Sequence, residues 1–173
     1  MPPRSRIPKG AHVFVDETKA REFIMVATWV GPNELVRARR ALRALVPGGR
    51  ARLHFKKLSD SQRLTALGAI RSLGITVTVS RASGRDEAAK RAEALRAVLA
   101  AADRHVAARV VLETDEPMVW RDLTLAHEVN CPCPVVHHRS VEEPLLWVSD
   151  AVAWCLQRGG AWPGRVDDLV VAE

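Results

Sequence analysis

The sequence predicts a single mixed α/β domain whose central sheet begins in an antiparallel hairpin and is flanked by helices. Three observations carry this expectation. A chain of 173 residues matches one domain of roughly 150 residues. Hydrophobic residues make up 47% and charged residues 27%, the ordinary globular mixture rather than a disordered, collagenous or low-complexity one. Segments with strand periodicity alternate with segments of helical periodicity, joined by short links and without an internal repeat.

Met1 to Gly10 is basic and Pro-rich and lacks the apolar run of a secretory signal, so it is expected to be a short flexible arm ahead of a domain over residues 11–173. Residues 11–17 and 22–30 are β-branched and aromatic runs separated by a four-residue polar link, the pattern of a hairpin. Asn33 is placed to cap a helix with apolar positions Leu35, Ala38, Leu42 and Leu45, stopped by Pro47-Gly48-Gly49. A short strand is expected over 51–55, after which Ser59 and Gln62 form a capping-box signature for a second helix ending near Gly74. Ile75 to Ser80 alternates as a half-buried strand does. Ser83 is expected to open a long Ala-rich helix to about His105, and Arg109 to Glu113 reads as an apolar strand. A helix over Pro117 to Val129, a brief strand over Val135 to His137, and a Ser140/Glu143 capping box before a long apolar helix complete the chain.

The sum of 26 basic and 20 acidic residues is +6, which permits an anionic partner such as RNA or DNA without requiring one. Arginines decorate the first two helices, where sequence-independent attraction to phosphates is available. No apolar stretch is long enough to span a bilayer, so no membrane role is expected and the cytoplasm is the default address. Three cysteines, Cys131, Cys133 and Cys155, are too few for a disulfide scaffold and are expected to be reduced.

The candidate chemistry lies in carboxylates. Asp16 follows Val13-Phe14-Val15 at the end of the first strand, and Glu113 ends the later strand in the same manner. In α/β sheets ligands gather at strand ends, although acids there also serve as turn formers. Asp150 has only apolar neighbours three and four residues away on its helix: Leu146, Trp147, Ala153 and Trp154. A carboxylate buried there needs a metal, a distant base or hydrogen bonds to compensate. The alternative is a solvated stripe, since Glu143, Asp150 and Gln157 recur at heptad spacing with Ser149 alongside. Acids delivered from two strands and a late helix make a hard oxygen site suited to Mg²⁺ or Mn²⁺, and two such ions can promote phosphodiester cleavage.

Phe14-Val-Asp-Glu-Thr18 resembles the "FIDESG" opening of the domain of unknown function 3800 family. Leu53-His-Phe-Lys-Lys-Leu58 is similar to that family's "IHFxxL" segment, and Pro144 to Ala153 resembles its "PLLQxADLIAG" helix. The resemblance covers residues 11–159 or so in the family's order. It implies a ribonuclease H-like fold and a metal-dependent nuclease acting on RNA or DNA. By position it implicates Asp16 and Asp150 as metal ligands, with Glu17 as an assisting acid. The later strand's acid matches Glu113 or, less well, Asp115. His54, Lys56 and Lys57 are candidates for orienting the substrate's phosphates, and the resemblance favours His54.

The sequence departs from the pattern at Thr18, Lys19, Ser149 and Arg52, the last standing where an acid often precedes the His-containing segment. A catalytically silent ribonuclease H-like domain acting by nucleic-acid or protein binding is therefore the alternative expectation. A zinc site from His127, Cys131, Cys133, His137 and His138 has suitable ligand types but poor spacing, because Cys-Pro-Cys is not a knuckle and adjacent histidines on a strand face opposite ways. Trp147 and Trp154 are expected in the core, with Trp120 and Trp162 better placed for exposed contacts.

Overall fold

A computed structural model describes residues 6–173. Five strands form one mixed sheet: β1 (His12–Thr18), β2 (Phe23–Val30), β3 (Thr76–Ala82), β4 (Arg109–Glu113) and β5 (Val135–His138). Their spatial order is β3-β2-β1-β4-β5. β2 runs antiparallel to both β1 and β3, and β4 and β5 lie parallel to β1. The helices are α1 (Leu35–Arg43), α2 (Asp60–Arg71), α3 (Glu87–Arg104), α4 (Glu116–Glu128) and α5 (Leu146–Arg158).

Alternation of side chains across the sheet sends each strand residue to one of two cores. On one face Phe14, Ile24, Val26 and Val111 pack against α1, α2 and α5. On the other, Val13, Val15, Met25 and Leu112 pack against α3 and α4. The sheet is thus the middle layer of three. Nearly all of α5 is buried, so its polar residues depend on partners within the protein. Ser149 Oγ donates to Phe14 O at 2.8 Å and lies 2.8 Å from Thr28 Oγ1, while Gln157 Nε2 donates to Glu22 O at 2.8 Å. At the outer edge of β3, Val77 N–H donates to Leu169 O at 3.0 Å and Val171 N–H donates to Val77 O at 2.9 Å.

Several local expectations are corrected. Residues 51–55 form no strand; the chain bends there and closes a 3₁₀ turn over Phe55–Lys57, which drives Leu53 and Phe55 into the core. Asn33 lies inside a 3₁₀ turn over Pro32–Glu34, and Glu34 precedes α1 without a side-chain cap. Asp86, not Ser83, caps α3 by accepting from Ala89 N–H at 2.8 Å. Ser140 and Glu143 form no capping box: Ser140 donates to Glu113, Glu143 pairs with Arg39 at 2.8 Å, and α5 starts later, at Leu146. The Ser59/Gln62 capping box is present, with bonds of 3.2 and 2.9 Å. Of the arm expected over 1–10, residues 1–5 lie outside the described residues. Ile7 packs on the α3/α4 core, and Gly10 N–H donates to Val106 O at 3.0 Å.

Candidate active site

The register of the parallel pair β1 and β4 sets Val15 opposite Leu112, so the next residues, Asp16 and Glu113, stand side by side where that pairing stops. Glu113 ends β4, whereas Asp16, expected at the end of the first strand, lies inside β1, which continues to Thr18 because β2 still pairs with it. Both have the parity of Phe14 and Val111 and face the α5 side of the sheet. Their carboxyl groups face one another closely enough for each to bear on the other's titration, and a hydrogen bond between two carboxyl groups needs a proton on one of them. Burial, the bond to Glu113 and the charges of Glu113 and Asp150 hold Asp16 well above the usual carboxylate range. At Glu113 burial also pushes upward, but the bonds from Asp16 and Ser140 and the charge of Arg52 outweigh it and lower the pKa. Glu17 N–H donates to Asp16 Oδ1 at 2.7 Å.

Asp150 approaches from α5 on the same side. Its Oδ2 accepts from Phe55 N–H at 3.3 Å. Burial raises its pKa, opposed by that bond and by Arg52, with Glu113 adding to the rise. The solvated stripe is not what forms: Glu143 is held by Arg39, Ser149 by Phe14 and Thr28, and Gln157 by Glu22. Asp150 differs from these three in having one weak backbone donor, and it shares with Gln157 a cavity in front of it.

Two adjoining cavities open at this end of the sheet. The first, about 520 Å³, is lined by Asp16, Glu17, Lys19, Arg91, Glu113 and Asp115 among others. The second, about 420 Å³, is lined by Arg21, His54, Lys56, Asp150, Trp154 and Arg158. Glu17 and Thr18 border both. The strand-end acids and the helical acid thus sit on either side of one strand tip.

Among the described residues no group of three or more His, Cys, Asp or Glu side chains is placed to hold a metal ion. The donor chemistry nevertheless fits Mg²⁺ or Mn²⁺. Two hard oxygen donors, Asp16 and Glu113, stand side by side with the Asp16 pKa raised by burial and by Glu113, an arrangement that a divalent cation would relieve by displacing a proton. Arg52 supplies part of that compensation, its Nη1 lying 3.8 Å from Glu113 Oε1.

The reserve acids, Glu17 and Asp115, line the first cavity with Asp16 and Glu113. Glu17 has the parity of Val15 and faces α3, where it pairs with Arg91 and with Lys19 at 3.3 Å. Asp115 precedes α4 and lines the first cavity. His54 and Lys56 line the second cavity, while Lys57 is exposed outside both. Burial and the charges of Arg52, Lys57, Lys56 and Arg50 lower the His54 pKa, keeping the imidazole neutral at pH 7. On the first two helices, Arg37 pairs with Glu34 and Arg39 with Glu143, leaving Arg40 and Arg43 exposed.

Sequence reasoning missed a buried network beneath the first cavity. Arg91 on α3 is 5% exposed and Asp122 on α4 is 2% exposed. Arg91 donates twice to Asp122, at 2.8 Å each, and reaches Glu17 with its remaining nitrogen; His137 Nε2 lies 2.8 Å from Asp122 Oδ2. The signal was present: Arg91 occupies the buried helical stripe with Ala94, Leu95 and Val98, as Asp122 does with Leu125 and Ala126. This network engages His137, and His138 faces the other side of β5. Cys131 and Cys133 lie 3.7 Å apart at sulfur, with no third ligand beside them among the described residues. Trp147 is buried, Trp120 is exposed, and Trp154 and Trp162 are half-buried against one another with ring centroids 5.1 Å apart.

No family model matches the chain, and no curated protein does. Among solved structures, a chain of the PCNA:RNase HII complex from Archaeoglobus fulgidus is similar, with a TM-score of 0.59 and 14% sequence identity. The match covers 86% of this chain and 73% of that one. At this identity the likeness is one of fold. No helix among the described residues is long and apolar enough to cross a membrane.

Proposed function

We propose that the chain is a ribonuclease H-like, divalent-metal-dependent nuclease that hydrolyses phosphodiester bonds of RNA or DNA. The observation that carries this reading is the placement of Asp16 and Glu113 side by side on two parallel strands, where the β1–β4 pairing ends, with Asp150 on the same side of the sheet from α5. The fold likeness to the RNase HII complex supports it, as does the resemblance of the opening, His-containing and final-helix motifs to the domain of unknown function 3800 family.

Asp16 and Glu113 would hold Mg²⁺ or Mn²⁺, with Asp150 closing the site. When bound, such a cation supplies Lewis acidity, activating water and stabilising the leaving oxygen. Asp16 must give up its proton to serve as a ligand, so its raised pKa couples occupancy to pH. The Phe55 N–H orients Asp150 through Oδ2. Neutral His54 is able to accept a proton at an imidazole nitrogen. Lys56, in the second cavity, and Lys57 beside it attract the substrate's phosphates.

The decisive experiment compares Mn²⁺-dependent cleavage by the wild type and by Asp150→Asn, with far-UV circular dichroism as the folding control. Loss of cleavage in a folded variant supports the assignment, and full activity defeats it.

A silent domain acting by nucleic-acid or protein binding is the second reading. It is favoured by Arg52, whose guanidinium supplies beside Glu113 some of the positive charge that a cation would otherwise bring. Stoichiometric Mn²⁺ binding in titration calorimetry counts against it.

A further inference from the structure

The second cavity differs in charge from the first. In the first, Lys19 and Arg91 are both paired with Glu17. In the second, Arg21, Lys56 and Arg158 are exposed, and among the described residues none has a carboxylate oxygen within 4.0 Å of its cationic nitrogens.

Those cations come from three separate segments that tertiary bonds hold together. Arg21 sits in the β1–β2 turn, which is tied to α5 because Arg21 N–H donates to Gln157 Oε1 at 3.1 Å and Gln157 Nε2 donates to Glu22 O at 2.8 Å. Arg158 ends α5, and Gly159 follows with φ +76°, a left-handed value that turns the chain beside the Arg21 guanidinium. Lys56 belongs to the 3₁₀ turn over Phe55–Lys57, where Arg63 fixes the backbone through bonds to Phe55 O at 3.0 Å and Lys56 O at 2.8 Å.

The same Arg63 lies over the Trp154 ring, 4.2 Å from its centroid, and Phe55 and Trp162 meet Trp154 edge to face. Trp154 is therefore a braced apolar wall in a cationic cavity. The cavity's inner side is Asp150, and its border with the acidic cavity is Glu17 and Thr18. A ligand spanning both must present phosphate chemistry next to the acids, further negative charge beyond Asp150, and an apolar or aromatic group between.

We propose that the second cavity is the subsite for the polynucleotide segment flanking the scissile bond. The backbone phosphate of that segment sits among Arg21, Lys56 and Arg158, and its nucleoside lies against Trp154. The identity of the ligand rests on the nuclease reading; the subsite itself does not require catalysis. Backbone contacts of this kind read charge and stacking rather than base sequence.

The test is fluorescence anisotropy in EDTA, which suppresses cleavage, using a labelled oligodeoxythymidylate about ten nucleotides long, within the usual single-strand site size. Affinity is measured between about 50 and 200 mM salt for the wild type, for combined Arg21→Ala, Lys56→Ala and Arg158→Ala, and for Arg40→Ala with Arg43→Ala on α1. Each lost single-strand phosphate contact lowers the salt slope by about 0.7, so the triple variant should lose up to about 2 if all three contact phosphate. The α1 variant should keep the wild-type slope, and an abasic strand should bind the wild type about tenfold more weakly. An unchanged slope in the triple variant, an equal loss in the α1 variant, equal affinity for the abasic strand, or no binding by the wild type would each overturn the proposal. The nuclease reading fails separately, in the Asp150→Asn cleavage assay: a chain that binds but never cleaves keeps the subsite and loses the enzyme.

Discussion

Replacing Asp122 by Ala should be among the most destabilising single changes in this protein. Asp122 is 2% exposed and accepts two bonds from Arg91, at 2.8 Å each, and a 2.8 Å contact from His137. Its removal leaves a buried guanidinium with Glu17 as its remaining acidic partner. Breaking a buried pair from one side costs about 3–5 kcal/mol. Because Glu17 still offsets part of the stranded charge, the lower end, about 3 kcal/mol, is expected. For a chain of this size that corresponds to a fall in Tm of roughly 6–12 °C.

The pKa of Asp122 is lowered: burial opposes ionisation, but the bonds from Arg91 and His137 outweigh it. Its contribution is thus fully present above the unfolded-state value near 3.9 and is lost as pH falls through the lowered folded value. Urea unfolding followed by circular dichroism, at pH 7 and again toward pH 3, measures both. A cost below about 1 kcal/mol at pH 7, or one that does not shrink in acid, would refute the reasoning. Arg91→Met combined with Asp122→Leu should recover much of the loss, since apolar replacement of a buried pair is often neutral. If the double variant is no more stable than Asp122→Ala, packing rather than charge sets the cost.

Mn²⁺ affinity by calorimetry should rise with pH by up to about tenfold per unit while Asp16 carries its proton, and Asp16→Asn should abolish that dependence. In the absence of metal the sign reverses for folding: the raised Asp16 contributes stability below its unfolded pKa that disappears as pH climbs through the folded value, visible as a declining Tm. Ser149→Ala removes the hydroxyl that joins Phe14 O and Thr28 Oγ1, and a loss of about 1–2 kcal/mol in urea melts is expected. Gly159→Ala should cost about 1–3 kcal/mol, because φ +76° with ψ −166° is a region essentially reserved for glycine, and a Cβ there would meet Arg21 Nη1 at 3.1 Å.

The order of strands and helices was legible because each core is written in the chain as a period: two for β1 to β4, near 3.6 for the helices. Element starts were less so. Ser59 and Gln62 satisfy one another locally, and their box is present; Ser140 and Glu143 carry the same letters but are claimed by Glu113 and Arg39 from other elements. Residues 51–55 have strand-like composition, yet Leu53 and Phe55 anchor a turn instead.

For the site, Glu113 ends its strand as expected, whereas Asp16 lies inside β1 because pairing with β2 carries the strand on to Thr18. The adjacency of the two acids follows from the β1–β4 register, a long-range fact. Glu17, expected to assist Asp16, is turned toward α3, because adjacent strand residues face opposite ways, and pairs there with Arg91. Arg21 and Arg158 reach one cavity only through the Gln157 tie, which joins residues 136 positions apart.

The residues laid along β3 near the C-terminal end of the chain guard against self-assembly. By occupying the Val77 amide and carbonyl, they cover part of an edge that would otherwise offer a template for strand addition by another molecule. The +6 net charge adds repulsion between copies of the chain.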